Sequence, residues 1–94
     1  MTTFEEYMSK LGYVLEEQDG NSITYQKNVK YSRLVLVINL EKKYINPILV
    51  PKSVVLYEHD LDAMIGELRE VRNNANQIAR KTNGVYKVLN SERK

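Results

Sequence analysis

The sequence contains no cysteine and no tryptophan, and it has only one histidine among its 94 residues. The lack of cysteine excludes disulfides, thiol catalysis and thiolate metal sites, and it is typical of proteins in a reducing compartment. With a single histidine as well, neither a Cys–His pair nor a histidine-rich metal site can form within one chain. These absences predict a cytoplasmic protein that is not an enzyme and that needs no metal and no cofactor.

Glycine and long apolar runs are also scarce. The four glycines, at positions 12, 20, 66 and 84, fit neither a phosphate-binding loop nor a dinucleotide-binding fingerprint. The longest apolar run covers only residues 34–38, whereas a membrane helix needs about 20 apolar residues. The first ten residues lack the apolar segment of a signal peptide. The sequence therefore predicts no membrane association and no small-molecule substrate.

The composition that remains is typical of one small folded domain. Hydrophobic residues make up 43% of the chain, close to the average of roughly 45–50% for globular proteins. A domain this short buries only about 60–65% of its unfolded surface, so self-association would add to its stability. We expect residues 1–94 to form a single α+β domain, with residues 90–94 as a flexible tail.

The first helix is predicted over residues 3–11. Thr3 and Glu6 have the spacing of a capping box, in which each side chain accepts a hydrogen bond from the backbone amide of the other residue. Apolar residues follow at helical spacing, and Gly12 can end the helix.

Three or four antiparallel strands are predicted next. Asp19-Gly20 is typical of a type I′ hairpin turn, whose two central residues both need a positive φ. The strongest strand covers residues 31–40, where apolar residues occupy both faces, as expected for a central strand. Pro47 cannot donate a backbone hydrogen bond, so the strand at residues 44–50 is expected at an edge or with a bulge. The apolar cluster within residues 85–89 is expected to form either a terminal strand or a docking segment.

A long helix is predicted from about residue 60 to residue 83. Together with the strands it gives a two-layer α+β fold, in which this helix packs on one face of an antiparallel meander. Its apolar residues are spaced alternately by three and four positions, the pattern of a coiled-coil seam. They are Leu61, Met64, Leu68, Val71, Ala75, Ile78 and Thr82.

The long helix is also the first candidate functional surface. At about 1.5 Å per residue it spans roughly 36 Å, more than a typical strand of six residues covers. We therefore expect its C-terminal half to overhang the sheet and to bind a second subunit or another protein through Val71, Ala75, Ile78 and Thr82. The alternative is that the whole stripe is the face that packs on the chain's own sheet.

Charge is distributed in alternating blocks. Residues 1–21 carry one lysine and five acids, residues 22–52 six basic residues and one acid, residues 53–72 two arginines and five acids, and residues 73–94 five basic residues and one acid. Separated charge of this kind can steer a charged partner. The alternative is that these blocks are solvated faces that neutralise one another in the fold.

The second candidate surface lies in the basic second block. Strand alternation places Tyr31, Arg33, Val35 and Val37 opposite the leucine face, so this face is open if the helices cover the leucines. Cationic side chains beside tyrosines are typical of nucleic-acid binding. The candidate residues are Lys27, Lys30, Tyr31, Arg33, Lys42, Lys43 and Tyr44. Alternatively, the lysines only protect strand edges from aggregation.

Acidic residues and the single histidine come together where the long helix begins, in Glu58-His59-Asp60-Leu61-Asp62. Carboxylates at a helix start are favoured by the helix dipole, which is the interpretation we prefer to a metal or catalytic site. The order helix, sheet, helix resembles that of double-stranded RNA-binding domains. Those domains open their last helix with a basic, glycine-containing segment, which these acidic residues do not match.

The chain as a whole resembles the small uncharacterised accessory proteins encoded by phages and mobile elements of Gram-positive bacteria. The likeness lies in the short α-β-meander-α plan and in the acidic start of the last helix, residues 57–65. The resemblance implies an accessory role and identifies no site residue.

Overall fold

The computed structural model describes residues 3–89, so the predicted tail at 90–94 lies outside the described residues. In chain order the elements are α1 (Phe4–Lys10), β1 (Val14–Asp19), β2 (Ser22–Asn28), β3 (Ser32–Asn39), β4 (Tyr44–Pro51), α2 (Glu58–Lys81) and β5 (Lys87–Val88). The first four strands form an antiparallel meander, and β5 joins β4 in parallel. The predicted α+β fold is confirmed, and residues 85–89 supply the terminal strand that was one of their two predicted roles.

Helix α1 begins at the capping box that its sequence predicts. The Thr3 hydroxyl accepts a hydrogen bond from the Glu6 amide at 3.1 Å, and the Glu6 carboxylate accepts one from the Thr3 amide at 2.8 Å. Hydrogen bonding from the Thr3 amide, and secondarily from the Thr3 side chain, stabilises the ionised Glu6 carboxylate and holds its pKa below its usual range. Gly12 follows the helix with φ of 94°, a conformation that favours glycine and turns the chain into β1.

The turn between β1 and β2 lies one residue later than expected. Asp19 pairs with Ser22, so the two central turn residues are Gly20 and Asn21. Gly20 has φ of 59°, whereas Asn21 is not in the positive-φ region. A positive φ at the first central residue alone suits a type II′ turn rather than the expected type I′ turn.

The core lies between the sheet and the two helices. Tyr25 on β2, Leu34, Leu36 and Ile38 on β3, and Ile45 on β4 face the helices. Met8 of α1, Tyr13 and three residues of α2 complete this cluster, namely Val71, Ala75 and Ile78. The other face of the sheet, which carries Arg33, Val35 and Val37, has no helix on it among the described residues.

Strand β4, helix α2 and strand β5 form a βαβ unit, because β4 and β5 are parallel neighbours. Since β5 pairs only with Tyr44 and Ile45, the outer edge of β4 has no neighbour beyond them within residues 3–89. Pro47 lies on that unpaired stretch, and the register between β3 and β4 passes it without a shift. Pro47 therefore occupies an edge position rather than a bulge, one of the two expected outcomes. Neither helix in the described part of the chain is long and apolar enough to cross a bilayer.

Candidate interaction surface

The N-terminal half of α2 carries an exposed line of aliphatic side chains. Leu61, Ile65 and Leu68 are 48%, 49% and 43% exposed, and their spacing of four and three places them on one side of the helix. We name these three residues the apolar stripe. The segment before the helix adds Val54, Val55 and Tyr57, which are also exposed. Contiguous exposed apolar surface of this kind marks interaction sites on small proteins.

The apolar stripe is exposed for two reasons: it lies about a quarter turn from the core residues of α2, and α2 is longer than the sheet beneath it. The 24 residues of α2 extend about 36 Å, whereas the eight residues of β3 extend only about 25 Å. Glu67 contacts Tyr31 and Ser32, where β3 begins. Residues 58–66 therefore project beyond this end of the sheet, and none of them is fully buried.

This position corrects the predicted interface. The C-terminal half of α2 was expected to overhang the sheet, but Val71, Ala75 and Ile78 are buried in the core. Thr82 is the C-cap of α2, and its hydroxyl donates to the Ala79 carbonyl and accepts from the Tyr86 amide. A partner cannot reach the three core residues in this fold, so the overhang lies at the opposite end of the helix.

Polar contacts of three α2 residues, Glu67, Glu70 and Asn74, fix the helix on the sheet and on the segment that precedes β1. The buried Tyr13 hydroxyl donates to Asn74 Oδ1 at 2.8 Å. Lys27 Nζ forms an ion pair with Glu70 Oε2 at 2.6 Å and also donates to the Leu11 carbonyl at 3.0 Å. The Glu67 carboxylate accepts from the Tyr31 amide at 3.0 Å and from the Ser32 hydroxyl.

These contacts explain an unusual tyrosine. Burial raises the pKa of Tyr13 well above its ordinary value, and the negative charge of Glu70 raises it further. Ionisation would place a phenolate in the core beside a carboxylate, so Tyr13 stays a neutral donor to Asn74 at physiological pH.

The residues predicted to bind nucleic acid do not form one surface. Lys27 lies on the helix side of the sheet, where Glu70 pairs with it. Lys30, Tyr31 and Arg33 lie at or near the start of β3. Tyr44 pairs with Asn39 at the far end of β3, and Lys42 and Lys43 lie in the turn beyond it, roughly 20–25 Å away at strand spacing. The sequence alone could not separate these groups, because both turns are rich in lysine.

The open face of the sheet is less basic than expected. Register places Val50 and Ile48 of β4 beside Arg33 and Val35 of β3 on this face. The Arg33 guanidinium forms an ion pair with Glu16 Oε1 at 2.8 Å, so an acid of β1 offsets its charge. Tyr31 precedes β3, and the Lys30 ammonium lies 5.4 Å from the centre of its ring.

The acidic segment at the start of α2 caps the N-terminus of the helix. The Asp60 carboxylate accepts a hydrogen bond from the Tyr57 amide at 3.0 Å and lies 3.2 Å from His59 Nε2. His59 is exposed and stacks on the ring of Tyr57. Within residues 3–89 no group of three or more histidines and acids is arranged to hold a metal ion. An open groove of about 510 Å³ lies between α1 and β1, and His59 does not line it.

Sequence reasoning identified two residues of the apolar stripe and missed the third. Leu61 and Leu68 belong to the predicted heptad pattern, whereas Ile65 lies outside it. The sequence did contain a signal for Ile65. Spacings of four and three residues place Leu61, Ile65 and Leu68 on one side of α2, about a quarter turn from the core residues.

Comparison with known proteins identified no matching family model, no similar curated protein and no similar solved structure. The likeness to phage and mobile-element accessory proteins stays a prediction. The fold and its surfaces alone therefore carry the functional proposal.

Proposed function

We propose that this protein is a small, non-enzymatic protein-interaction module that self-associates through the N-terminal half of α2. The apolar stripe is the observation that carries the proposal. Leu61 and Ile65 stand half exposed on the helix segment that projects beyond its own sheet, and Leu68 is similarly exposed just past the end of that segment. Helices with apolar residues spaced by three and four pair readily with other helices, because pairing removes these side chains from water.

A second copy of the chain is the occupant that this surface suits. Every copy carries the same stripe, so two copies can cover each other around a two-fold axis. The domain is small and its own core is limited, so apolar burial between subunits adds stability at about 25 cal/mol per Å². We place this module in the cytoplasm, in keeping with its lack of cysteine.

Nucleic-acid binding is the less supported alternative. Phosphate recognition works best when several cationic side chains line one surface. Here the predicted basic residues lie at two ends of β3, and acids pair with Lys27 and Arg33.

The test compares two leucines of nearly equal exposure. Leu61 on α2 is 48% exposed and Leu15 on the edge strand β1 is 47% exposed. We expect the unmodified protein to sediment as a dimer of 11.0 kDa chains. We expect Leu61→Ser to raise the dimer dissociation constant at least about tenfold, equivalent to about 1.4 kcal/mol. Leu15→Ser should leave it within about twofold.

Sedimentation equilibrium over a range of concentrations measures both constants. A monomer at every accessible concentration would refute self-association. A dimer weakened by Leu15→Ser and not by Leu61→Ser would move the interface to β1. Circular dichroism of both variants verifies that the serines have not unfolded the chain.

A further inference from the structure

The apolar stripe is bordered by charges of opposite sign at its two ends. Glu58 and Asp62 lie at the start of α2, before and beside Leu61. Arg69 and Arg72 follow Leu68 within about one turn. At 100° per residue all four side chains fall on the solvent side of the stripe, close to Ile65. None of the four belongs to an ion pair among the residues that the structure describes.

From this polarity we infer that two copies of the protein pair through antiparallel α2 helices, with a two-fold axis beside Ile65. The inference rests on the proposed self-association and adds the orientation and register of the partner. In this arrangement Leu61 of one copy faces Leu68 of the other. Glu58 and Asp62 of each copy then lie opposite Arg72 and Arg69 of the second copy.

The charges discriminate between the two orientations of the helices. In a parallel pair the two-fold axis runs along the helices and places the four charged residues of the two copies on opposite flanks of the interface, where they form no attractive contact. In the antiparallel pair the same four residues form two attractive sets, related by the two-fold axis. Each exposed ion pair contributes only about 0.2–1 kcal/mol, but the two-fold axis repeats both sets, so the antiparallel pair gains several of these contributions and the parallel pair gains none.

The antiparallel pair also suits the shape of the molecule. The C-terminal half of α2 is covered by its own sheet, whereas residues 58–66 project beyond it. When the two projecting segments overlap in antiparallel orientation, each covers the stripe of the other, and the two sheets lie at opposite ends of the dimer. A parallel pair would bring both sheets to the same end of the dimer, where they would compete for space.

Because the chain has no cysteine, single introduced cysteines report the orientation directly. In the antiparallel pair the two copies of residue 61 are offset by roughly 10 Å or more along the helices, too far for a disulfide, which needs Cα atoms about 4.4–6.8 Å apart. We expect Leu61→Cys alone and Leu68→Cys alone to remain uncrosslinked under mild oxidation. A mixture of the two variants should form a disulfide-linked dimer.

The same oxidation experiment distinguishes a wrong helix orientation from a failure of self-association. If Leu61→Cys crosslinks by itself as efficiently as the mixture does, the helices are parallel, and the inference falls while the proposed self-association stands. If sedimentation finds only monomer, both fall. Val85→Cys, at an exposed position beyond the C-terminus of α2, is the control for random collision and should not crosslink.

Charge reversal gives a second readout that needs no crosslink. Arg69→Glu with Arg72→Glu places acids opposite acids in the antiparallel pair and should raise the dissociation constant about tenfold. In a parallel pair these residues of the two copies do not meet, so an unchanged constant overturns the inference. Lys42→Glu with Lys43→Glu makes the same change in net charge at the far end of the sheet and should have little effect.

Discussion

The two halves of α2 share one apolar spacing and differ in what covers it. Val71, Ala75 and Ile78 in the C-terminal half are buried against the sheet. Leu61 and Leu68 in the N-terminal half belong to the same heptad series and remain exposed. The difference teaches that helical periodicity identifies an apolar side of a helix, whereas the length of the neighbouring sheet and the direction in which the helix faces it decide how much of that side is covered.

The connections at the two ends of α2 explain which half is covered. After Lys81 only five residues precede β5, and β5 pairs with Tyr44 and Ile45 at the beginning of β4. The C-terminus of α2 must therefore lie over that end of the sheet. The N-terminus is joined to Pro51 by residues 52–57, so the surplus length projects there.

The largest expected difference between the halves is in core packing. Ile78→Ala removes a fully buried side chain and should lower the free energy of unfolding by about 2–5 kcal/mol. Ile65→Ala removes the same atoms from a half-exposed position and should change monomer stability by about 0.5 kcal/mol or less. Urea unfolding below the dimer dissociation constant measures both values. Equal losses would mean that the halves of α2 are covered alike.

A smaller loss is expected at the buried hydrogen bond that ties α2 to the sheet. Tyr13→Phe leaves Asn74 Oδ1 without its donor and should cost about 1–3 kcal/mol. Tyr44→Phe, at an exposed tyrosine on the open face, is the matched control and should cost little.

The same tyrosine predicts a pH dependence. The pKa of Tyr13 is raised in the folded state, so its contribution is complete below about pH 10, where the tyrosine is protonated in both states. Above that pH the unfolded chain releases the proton first, and stability falls by up to about 1.4 kcal/mol per pH unit. Urea midpoints between pH 8 and pH 11 should fall less steeply for Tyr13→Phe than for Tyr44→Phe. Equal slopes would mean that Tyr13 is not the titrating group.

The smallest expected effect is a gain at the boundary between the two halves. Gly66 lies within α2, and an added Cβ there would meet no atom within 4 Å. Gly66→Ala should therefore stabilise the protein by about 0.5–1 kcal/mol, because alanine loses less backbone entropy in a helix.

Gly84 provides the contrast for this substitution. It has φ of 80° after the end of α2, so Gly84→Ala should destabilise by about 1 kcal/mol. Thermal unfolding of the two variants measures both changes. A loss of stability for Gly66→Ala would show that this exposed stretch of α2 is in contact with a partner, such as the second copy of the chain.

Several features of the fold follow from local sequence. The capping box at Thr3 and Glu6, the glycine end of α1 and the central strand β3 each rest on residues a few positions apart, and the structure contains all three. The hairpin turn was displaced by one residue, because Asp19-Gly20 and Gly20-Asn21 are both acceptable turn pairs and strand register chooses between them.

The overhang of α2 was predicted at the wrong end of the helix, and the interface proposed for it stays a prediction. Length and heptad spacing predicted an overhanging segment of α2, but neither property has a direction along the chain. The burial of Val71, Ala75 and Ile78 depends on contacts with residues more than 25 positions away in sequence. The separation of Lys30 from Lys42 likewise depends on the extended length of β3 between them.

By itself the sequence determined the residue types that are missing, the two-layer α+β class and the apolar side of α2, since each depends on composition or on local periodicity. Tertiary structure alone decided which half of α2 is left uncovered by the sheet. It also decided that Glu70 and Glu16 neutralise the charges of Lys27 and Arg33, and that the Tyr13 hydroxyl donates a hydrogen bond to Asn74. The physical reason is that these outcomes depend on strand register and on short connections that bring distant residues together. No local pattern along the chain encodes those distances.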